Sequence, residues 1–306
     1  MVYLGCSASG GFADRRDDLI RQKGVPRVIL RRSLLSIFRN MLNQQPIGIF
    51  DSGVGGLTVC RELMRRLPAE PLFYLGDTAR VPYGTKSAAI VTQYALEAAG
   101  FLCEKGVKLL VVACNTASAV ALPQLRARFG VPVLGVIEPG ARAAVARGAR
   151  RIGVLGTEGT IHSGAYERAI CGIDAGVKVF SVACPLFVPL AEEGWATHPV
   201  AEQIAAEYLA PLLREKIDAL VLGCTHYPLL VQALRRVVGA QVEIVDSAAS
   251  TAREVAQLLE SQALQTNTQA GGQQFFVTDV PTRFQRIGSE FLGATLHDVT
   301  RIQLGA

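Results

Sequence analysis

Short runs of aliphatic and β-branched residues recur along the chain at spacings that leave room for one helix between each pair. They are "PIGIF", "PLFYLG", "KLLVVA", "VPVLGVI", "RIGVLG", "VKVFSV", "ALVLG", "VEIVD" and "QFFVTD". Segments such as "GLTVCRELMRRL", "SAAIVTQYALEAAGFLCEKG" and "ALPQLRARFG" lie between them, with helical periodicity and glycine stops. This alternation specifies an α/β protein with mostly parallel sheets flanked by helices. In such sheets ligands collect where strand C-terminal ends meet helix N-termini.

The runs also repeat. "KLLVVACNT" at 108–116 parallels "DALVLGCTH" at 218–226, and "PIGIFDSGVGG" at 46–56 parallels "RIGVLGTEGT" at 151–160. Downstream, "VLGVIEPG" matches "VEIVDSAAS". Two pseudo-symmetric α/β halves account for all three matches. Each half then ends a buried strand on one cysteine, Cys114 or Cys224, at a cleft between the two.

Half of the 306 residues are hydrophobic and 19% are charged, enough apolar material for a sizeable core. The net charge of +5 does not spread over the globule. Residues 1–45 hold eight basic residues against three acidic ones, and the remainder balances at 23 of each. Nucleic-acid binding by the main body is therefore not expected. The basic extension 1–45 has no uninterrupted apolar stretch and reads poorly as a secretory signal. With Met41 five residues before the first strand-like run, it is expected to be the product of an upstream start; the alternative is a basic amphipathic surface helix. No apolar run reaches membrane-spanning length, so no membrane association is expected. Seven cysteines, an odd number without disulfide or zinc spacing, fit a reducing cytoplasm, and no metal site is expected.

Three stretches carry chemistry. In "GIFDSGVGGLTV", Asp51 ends a strand, Ser52 follows, and Gly53, Gly55 and Gly56 allow a tight turn into a helix whose bare N–H groups suit an anion. The spacing matches neither nucleotide-binding glycine signature, so a carboxylate suits better; an ordinary turn with Asp51 as helix cap is the plain alternative. Cys114 and Cys224 are followed by Asn115-Thr116 and Thr225-His226 where a helix should begin, a setting that lowers a thiol pKa. A lone buried cysteine is usually a small hydrophobe, but two at equivalent points of a repeat are hard to read that way. Cys60, Cys103 and Cys171 fall in helical patterns and read as core, and Cys184 is ambiguous. Of four histidines only His226 adjoins a candidate thiol. Glu192 and Glu193, in the loop-like "LAEEGW", offer an acid or a solvated charge pair. Two thiols on opposite faces of one molecule suit removal of a proton on one side and its return on the other, which is racemisation without a cofactor.

The motifs "IGIFDSGVGGLTV", "YLGDTARVPYG", "VVACNTASA", "CPLFVPLAEEGW", "LGCTHYPLL" and "VDSA", in order over roughly 47–250, resemble those of the bacterial glutamate racemases in the aspartate/glutamate racemase superfamily. The resemblance implies interconversion of L- and D-glutamate, supplying D-glutamate for peptidoglycan, with Cys114 acting on the D-isomer and Cys224 on the L-isomer. It implies that Asp51 assists Cys114, and that His226 with Glu192 assists Cys224. Substrate contacts would fall on Asp51, Ser52, Tyr83, Gly84, Asn115, Thr116, Thr225 and His226. It also implies two domains, 46–137 with 247–306 and 138–246, and a cell-wall precursor as an activator. A homodimer is expected. His162 stands where the family more often carries Lys or Arg. Aspartate and hydantoin racemases would share both cysteines, but "DSGVGG" and "CTHYP" favour glutamate. A thiol hydrolase using Cys224 and His226 would leave Cys114 unexplained. A small-ligand binding protein on the same fold is the non-catalytic alternative.

Overall fold

All nine aliphatic runs form strands: β1 (Ile47–Asp51), β2 (Leu72–Gly76), β3 (Leu109–Val112), β4 (Val133–Gly135), β5 (Arg151–Gly156), β6 (Lys178–Ala183), β7 (Ala219–Gly223), β8 (Glu243–Asp246) and β9 (Gln273–Val277). A tenth, β10 (Val299–Arg301), is short and mostly exposed, with no apolar run to betray it. The structure, a computed structural model, describes residues 41–266 and 271–305. Residues 1–40 of the extension 1–45, including Cys6, lie outside the described residues, as does the centre of the polar stretch 259–274. Of that stretch, Leu259–Ser261 close a helix and Gln273-Gln274 open β9, so the loop is shorter than its composition suggests.

The strands form two sheets, one in the order β10-β9-β2-β1-β3-β4 and the other β6-β5-β7-β8, with every pairing parallel. The order β2-β1-β3-β4 is the order β6-β5-β7-β8, so the sequence repeat is a repeat of topology. The first sheet adds two strands at its edge, donated by the C-terminal segment through the pairing of β2 with β9.

The central strands of each sheet, β1 and β3 in one and β5 and β7 in the other, are buried on both faces, which is why they read as continuous apolar runs. Side chains alternate between the faces. Ile47, Ile49, Leu109 and Val111 join one core with helix Leu57–Arg66 and Phe284 and Phe291, while Phe50, Leu110 and Val112 join another with helix Ala88–Glu104. The second sheet repeats this, with Ile152, Val154, Ala219 and Val221 on one side and Leu155, Leu220 and Leu222 on the other. In both sheets the chain leaves the central strand to one side (β1 to β2, β5 to β6) and returns on the other (β3, β7). That reversal opens a crevice beyond the carboxyl ends of β1 and β3, and of β5 and β7. Among the described residues, no helix is long and apolar enough to cross a membrane.

Candidate active site

Asp51 ends β1 and Cys114 follows β3, so both stand at the crevice of the first sheet; Cys224 follows β7 at the crevice of the second. None of the three glycines after Asp51 has a positive φ, and two of them, Gly55 and Gly56, are needed for proximity, whereas Gly53 has ordinary room for a Cβ. A Cβ on Gly55 would lie 2.3 Å from Thr225 Oγ1 and 2.5 Å from His226 Nδ1, and one on Gly56 2.5 Å from Asp51 Cβ. The turn is thus pared to backbone so that the loop after β7 can press against it. Thr58 Oγ1 donates to the Thr225 carbonyl at 3.3 Å, and the Tyr74 hydroxyl to the Gly53 carbonyl at 2.9 Å. Asp51 does not cap the following helix. Its Oδ2 accepts from the Gly53 N–H at 2.9 Å and its Oδ1 lies 3.5 Å from Thr225 Oγ1, while Gly56 occupies the cap position.

The two thiols have different surroundings. Cys114 caps helix Asn115–Val120, its Sγ accepting from the Ala117 N–H at 3.5 Å and lying 3.8 Å from Ser52 Oγ. Burial nevertheless pushes this thiol up to about 12, and the nearby charges of Asp51 and Cys224 push the same way. The expected lowering by a helix start is outweighed, because desolvation of a fully buried thiolate exceeds the effect of one N–H contact. Cys224 has no helix immediately after it: a 3₁₀ turn, Tyr227–Leu230, intervenes before helix Val231–Val238. Its partner is instead His226, whose Nδ1 lies 3.8 Å from the sulfur.

The other face of that imidazole meets Glu192, with Nε2 3.1 Å from Oε1. Glu192 lies in helix Phe187–Glu192, not in a loop, and Arg283 Nη2 is 3.6 Å from its second oxygen. Burial opposes a charged ring, but the hydrogen bonds to Cys224 and Glu192 and the charges of Cys224 and Asp51 raise His226 to about 10. Burial likewise opposes a charged Glu192, yet His226 and Arg283 hold it below the usual carboxylate range. Burial lifts the Asp51 carboxyl, against the pull of His226, two backbone N–H groups and Thr225.

Asp51, Ser52, Cys114, Cys224, Thr225, His226 and Glu192 therefore form one contact network. Tyr83, Gly84, Asn115 and Thr116 make an adjoining patch. A Cβ on Gly84 would lie 2.6 Å from Thr157 Cβ, and Thr116 Oγ1 sits 3.0 Å from Thr157 Oγ1 and 3.2 Å from Thr160 Oγ1. The Tyr83 hydroxyl donates to the buried carboxylate of Asp77, which also accepts from Thr278 and Arg80. Asp77 and Thr157 were within reach of sequence reading: one lies inside "YLGDTARVPYG", and the other follows β5 where Ser52 follows β1 in the repeat. His198 caps a helix, with Nδ1 3.2 Å from the Val200 N–H, and takes no part in the network. Cys60 is fully buried in the core, as its helical position implied, while Cys103 and Cys171 are half-buried on helices.

Residues 47–255 match the family model described as Asp/Glu/Hydantoin racemase. The chain belongs to that family. Within it the chain is an enzyme of the glutamate racemase group. A curated glutamate racemase of Geobacter metallireducens is 55% identical over 263 residues, covering 85% of this chain and 97% of that protein. The solved glutamate racemase of Francisella tularensis in complex with D-glutamate superposes with a TM-score of 0.81 at 36% identity, covering 85% of this chain and 98% of that one. That of Escherichia coli, in complex with L-glutamate and the activator UDP-MurNAc-Ala, gives 0.71 at 31% identity, covering 86% and 100%.

Proposed function

We propose that this racemase interconverts L- and D-glutamate by a two-base mechanism in which Cys224 and Cys114 serve opposite faces of Cα. The observation that carries the reading is the pair of buried thiols at equivalent points of two topologically matched sheets, each with its own partners. Burial and the Asp51 charge keep Cys114 protonated, and the raised His226, backed by Glu192, can donate to Cys224 and stabilise charge on its sulfur. Cys224 as thiolate takes the α-proton of L-glutamate, and Cys114 as thiol returns a proton to the other face. The product is D-glutamate, with the thiolate now on Cys114; the D-isomer reverses every step. The high pKa of Cys114 makes its thiolate a strong base for taking the α-proton of the D-isomer, and Asp51 reinforces it.

The relatives in complex with D- and L-glutamate support glutamate as the substrate, and the clustering of Asp51, Ser52, Asn115, Thr116, Thr225, His226 and Gly84 around the two thiols supports placing its contacts there. Tyr83 would contribute its main chain, because its hydroxyl is committed to Asp77. Closure between two domains, 46–137 with 247–306 and 138–246, would seal the crevice; the return of β9 to pair with β2 supports that division. We carry over supply of D-glutamate for peptidoglycan in the cytoplasm and a homodimeric state, and the Escherichia coli relative supports activation by a cell-wall precursor. Rate measurements with and without UDP-MurNAc-Ala, and light scattering, test the last two.

Incubation of each enantiomer in D2O tests the mechanism. Product should carry deuterium at Cα, and Cys114→Ser or Cys224→Ser should each lower racemisation by about 10²–10⁴-fold while leaving glutamate binding largely intact. Turnover surviving in both variants would make the two-base reading wrong.

A further inference from the structure

Asn115 sits directly after Cys114, 3% exposed, and its two side-chain polar atoms are treated unequally. Its Oδ1 accepts from the Tyr166 hydroxyl at 2.7 Å, whereas its Nδ2 is buried with no protein partner. A buried amide donor left empty destabilises the fold, so one kept at a crevice is waiting for an acceptor. Tyr166 belongs to helix Ala165–Ile173, which packs on the second sheet, so this hydrogen bond crosses from one half of the molecule to the other.

The phenol is itself held in place. It is 2% exposed, and a Cβ on Gly223, the residue before Cys224, would lie 2.9 Å from its ring. Gly140 leaves similar room, since a Cβ there would be 3.4 Å from the Tyr166 oxygen and 3.3 Å from Ser247 Cβ. Ser247 and the phenol oxygen thus flank the same glycine. The Tyr166 proton goes to Asn115 Oδ1. That fixes the amide the one way round that presents Nδ2 as a donor.

We propose that Tyr166 is a positioning residue for racemisation: by holding Asn115 Oδ1, it aims the unpartnered Nδ2 at a carboxylate oxygen of the bound amino acid. The assignment rests on the glutamate racemase reading above. Tyr166→Phe keeps the ring, its volume and its packing against Gly223, and removes only the donor. Freed of its partner, the amide can rotate, and KM for both enantiomers should rise about 10-fold, the equivalent of about 1.4 kcal/mol, with kcat changed less.

A double-substitution cycle separates positioning from a general structural effect. In an Asn115→Ala background, Tyr166→Phe should change KM by less than 2-fold, because the atom it positions is gone. Asn115→Asp supplies an independent arm: Tyr166 can still donate to one oxygen, but the other now meets the substrate carboxylate, and KM should rise further than in Asn115→Ala. An unchanged KM in Tyr166→Phe, or the same 10-fold rise with and without Asn115, overturns the proposal. If Tyr166→Phe does not fold, as read by circular dichroism, Asn115→Asp decides it: a KM no higher than that of Asn115→Ala overturns it. Wild-type chain that exchanges no Cα hydrogen in D2O sinks the racemase reading instead, so the two failures are distinct.

Discussion

Gly55 lies so close to His226 that a methyl group on its Cα would fall 2.5 Å from the imidazole Nδ1 and 2.3 Å from Thr225 Oγ1. The first half of the repeat thus gives up a side chain so that the second can reach the crevice. Gly55→Ala should push Thr225 and His226 away from Asp51 and Cys224. A displacement near 1 Å in a catalytic group can cost about 100-fold, and that is the expected loss in kcat/KM. Gly100→Ala is the control: nothing lies within 4 Å of its added Cβ in helix Ala88–Glu104, and activity should stay at the wild-type level. A fully active Gly55→Ala would mean that the contact does not set the site.

Glu192 acts through His226 and should betray itself in the pH profile. Its carboxylate helps keep the ring protonated up to about 10, so Glu192→Gln, which preserves shape and removes charge, lowers the ring's proton affinity. The alkaline limb of kcat/KM should move to lower pH. Because the enantiomers have equal free energy, kcat/KM must fall equally in both directions. The isotope effect need not be equal: with L-glutamate deuterated at Cα, where Cys224 takes the proton, it should grow more than with the D-isomer. Unchanged limbs and isotope effects would remove Glu192 from the mechanism.

His226 also couples pH to stability. The ring's folded value, about 10, lies above the 6.5 of a free imidazole. Below pH 6.5 it is protonated in both states and its contribution is complete; as pH rises toward 10 the unfolded chain loses that proton first, and the contribution is lost. Asp51, also raised, works in the same sense from pH 3.8 upward, and Cys60 and Cys114, raised from 9.0 to about 12, join above pH 9. The difference between wild type and His226→Asn from pH 6.5 to 9 therefore isolates the ring. Urea midpoints should fall across that range in wild type and fall less in the variant; parallel curves would refute the assignment.

The strands and both thiols were legible because each rests on local pattern: an apolar run, then a small polar residue at its end. The repeat was legible too, since β2-β1-β3-β4 and β6-β5-β7-β8 descend from matching stretches of chain. The partnerships were less so. Glu192 is 34 residues from His226, and Tyr166 is 51 from Asn115. No periodicity or spacing rule connects residues brought together only when separate elements pack. β10 was hidden for a different reason: an exposed edge strand needs no apolar run. The thiol environment was misjudged from local pattern, because a helix start is visible in sequence and the depth of burial that outweighs it is not.

Lys108 stands just before β3, at the far end of the strand that leads to Cys114, and it should govern stability without touching catalysis. Its side chain is 1% exposed, with Nζ 2.5 Å from Glu70 Oε2, 2.6 Å from the Asn43 carbonyl and 2.8 Å from that of Leu264. Glu70 in turn accepts from the Thr266 N–H at 2.9 Å. The ammonium thus ties the segment before β1 to the turn that follows helix Ser247–Ser261. Lys108→Met fills much of the same volume but strands a buried carboxylate and two carbonyls, and removing one member of such a pair costs about 3–5 kcal/mol. For a chain of this size that corresponds to a fall in Tm of roughly 10 °C by thermal denaturation. Adding Glu70→Leu should restore part of the loss, since the uncompensated charge goes with it. KM for glutamate at 25 °C should match wild type throughout, because the whole of β3 separates Lys108 from the crevice; a raised KM at full folding would show that this end of the strand reaches the thiols.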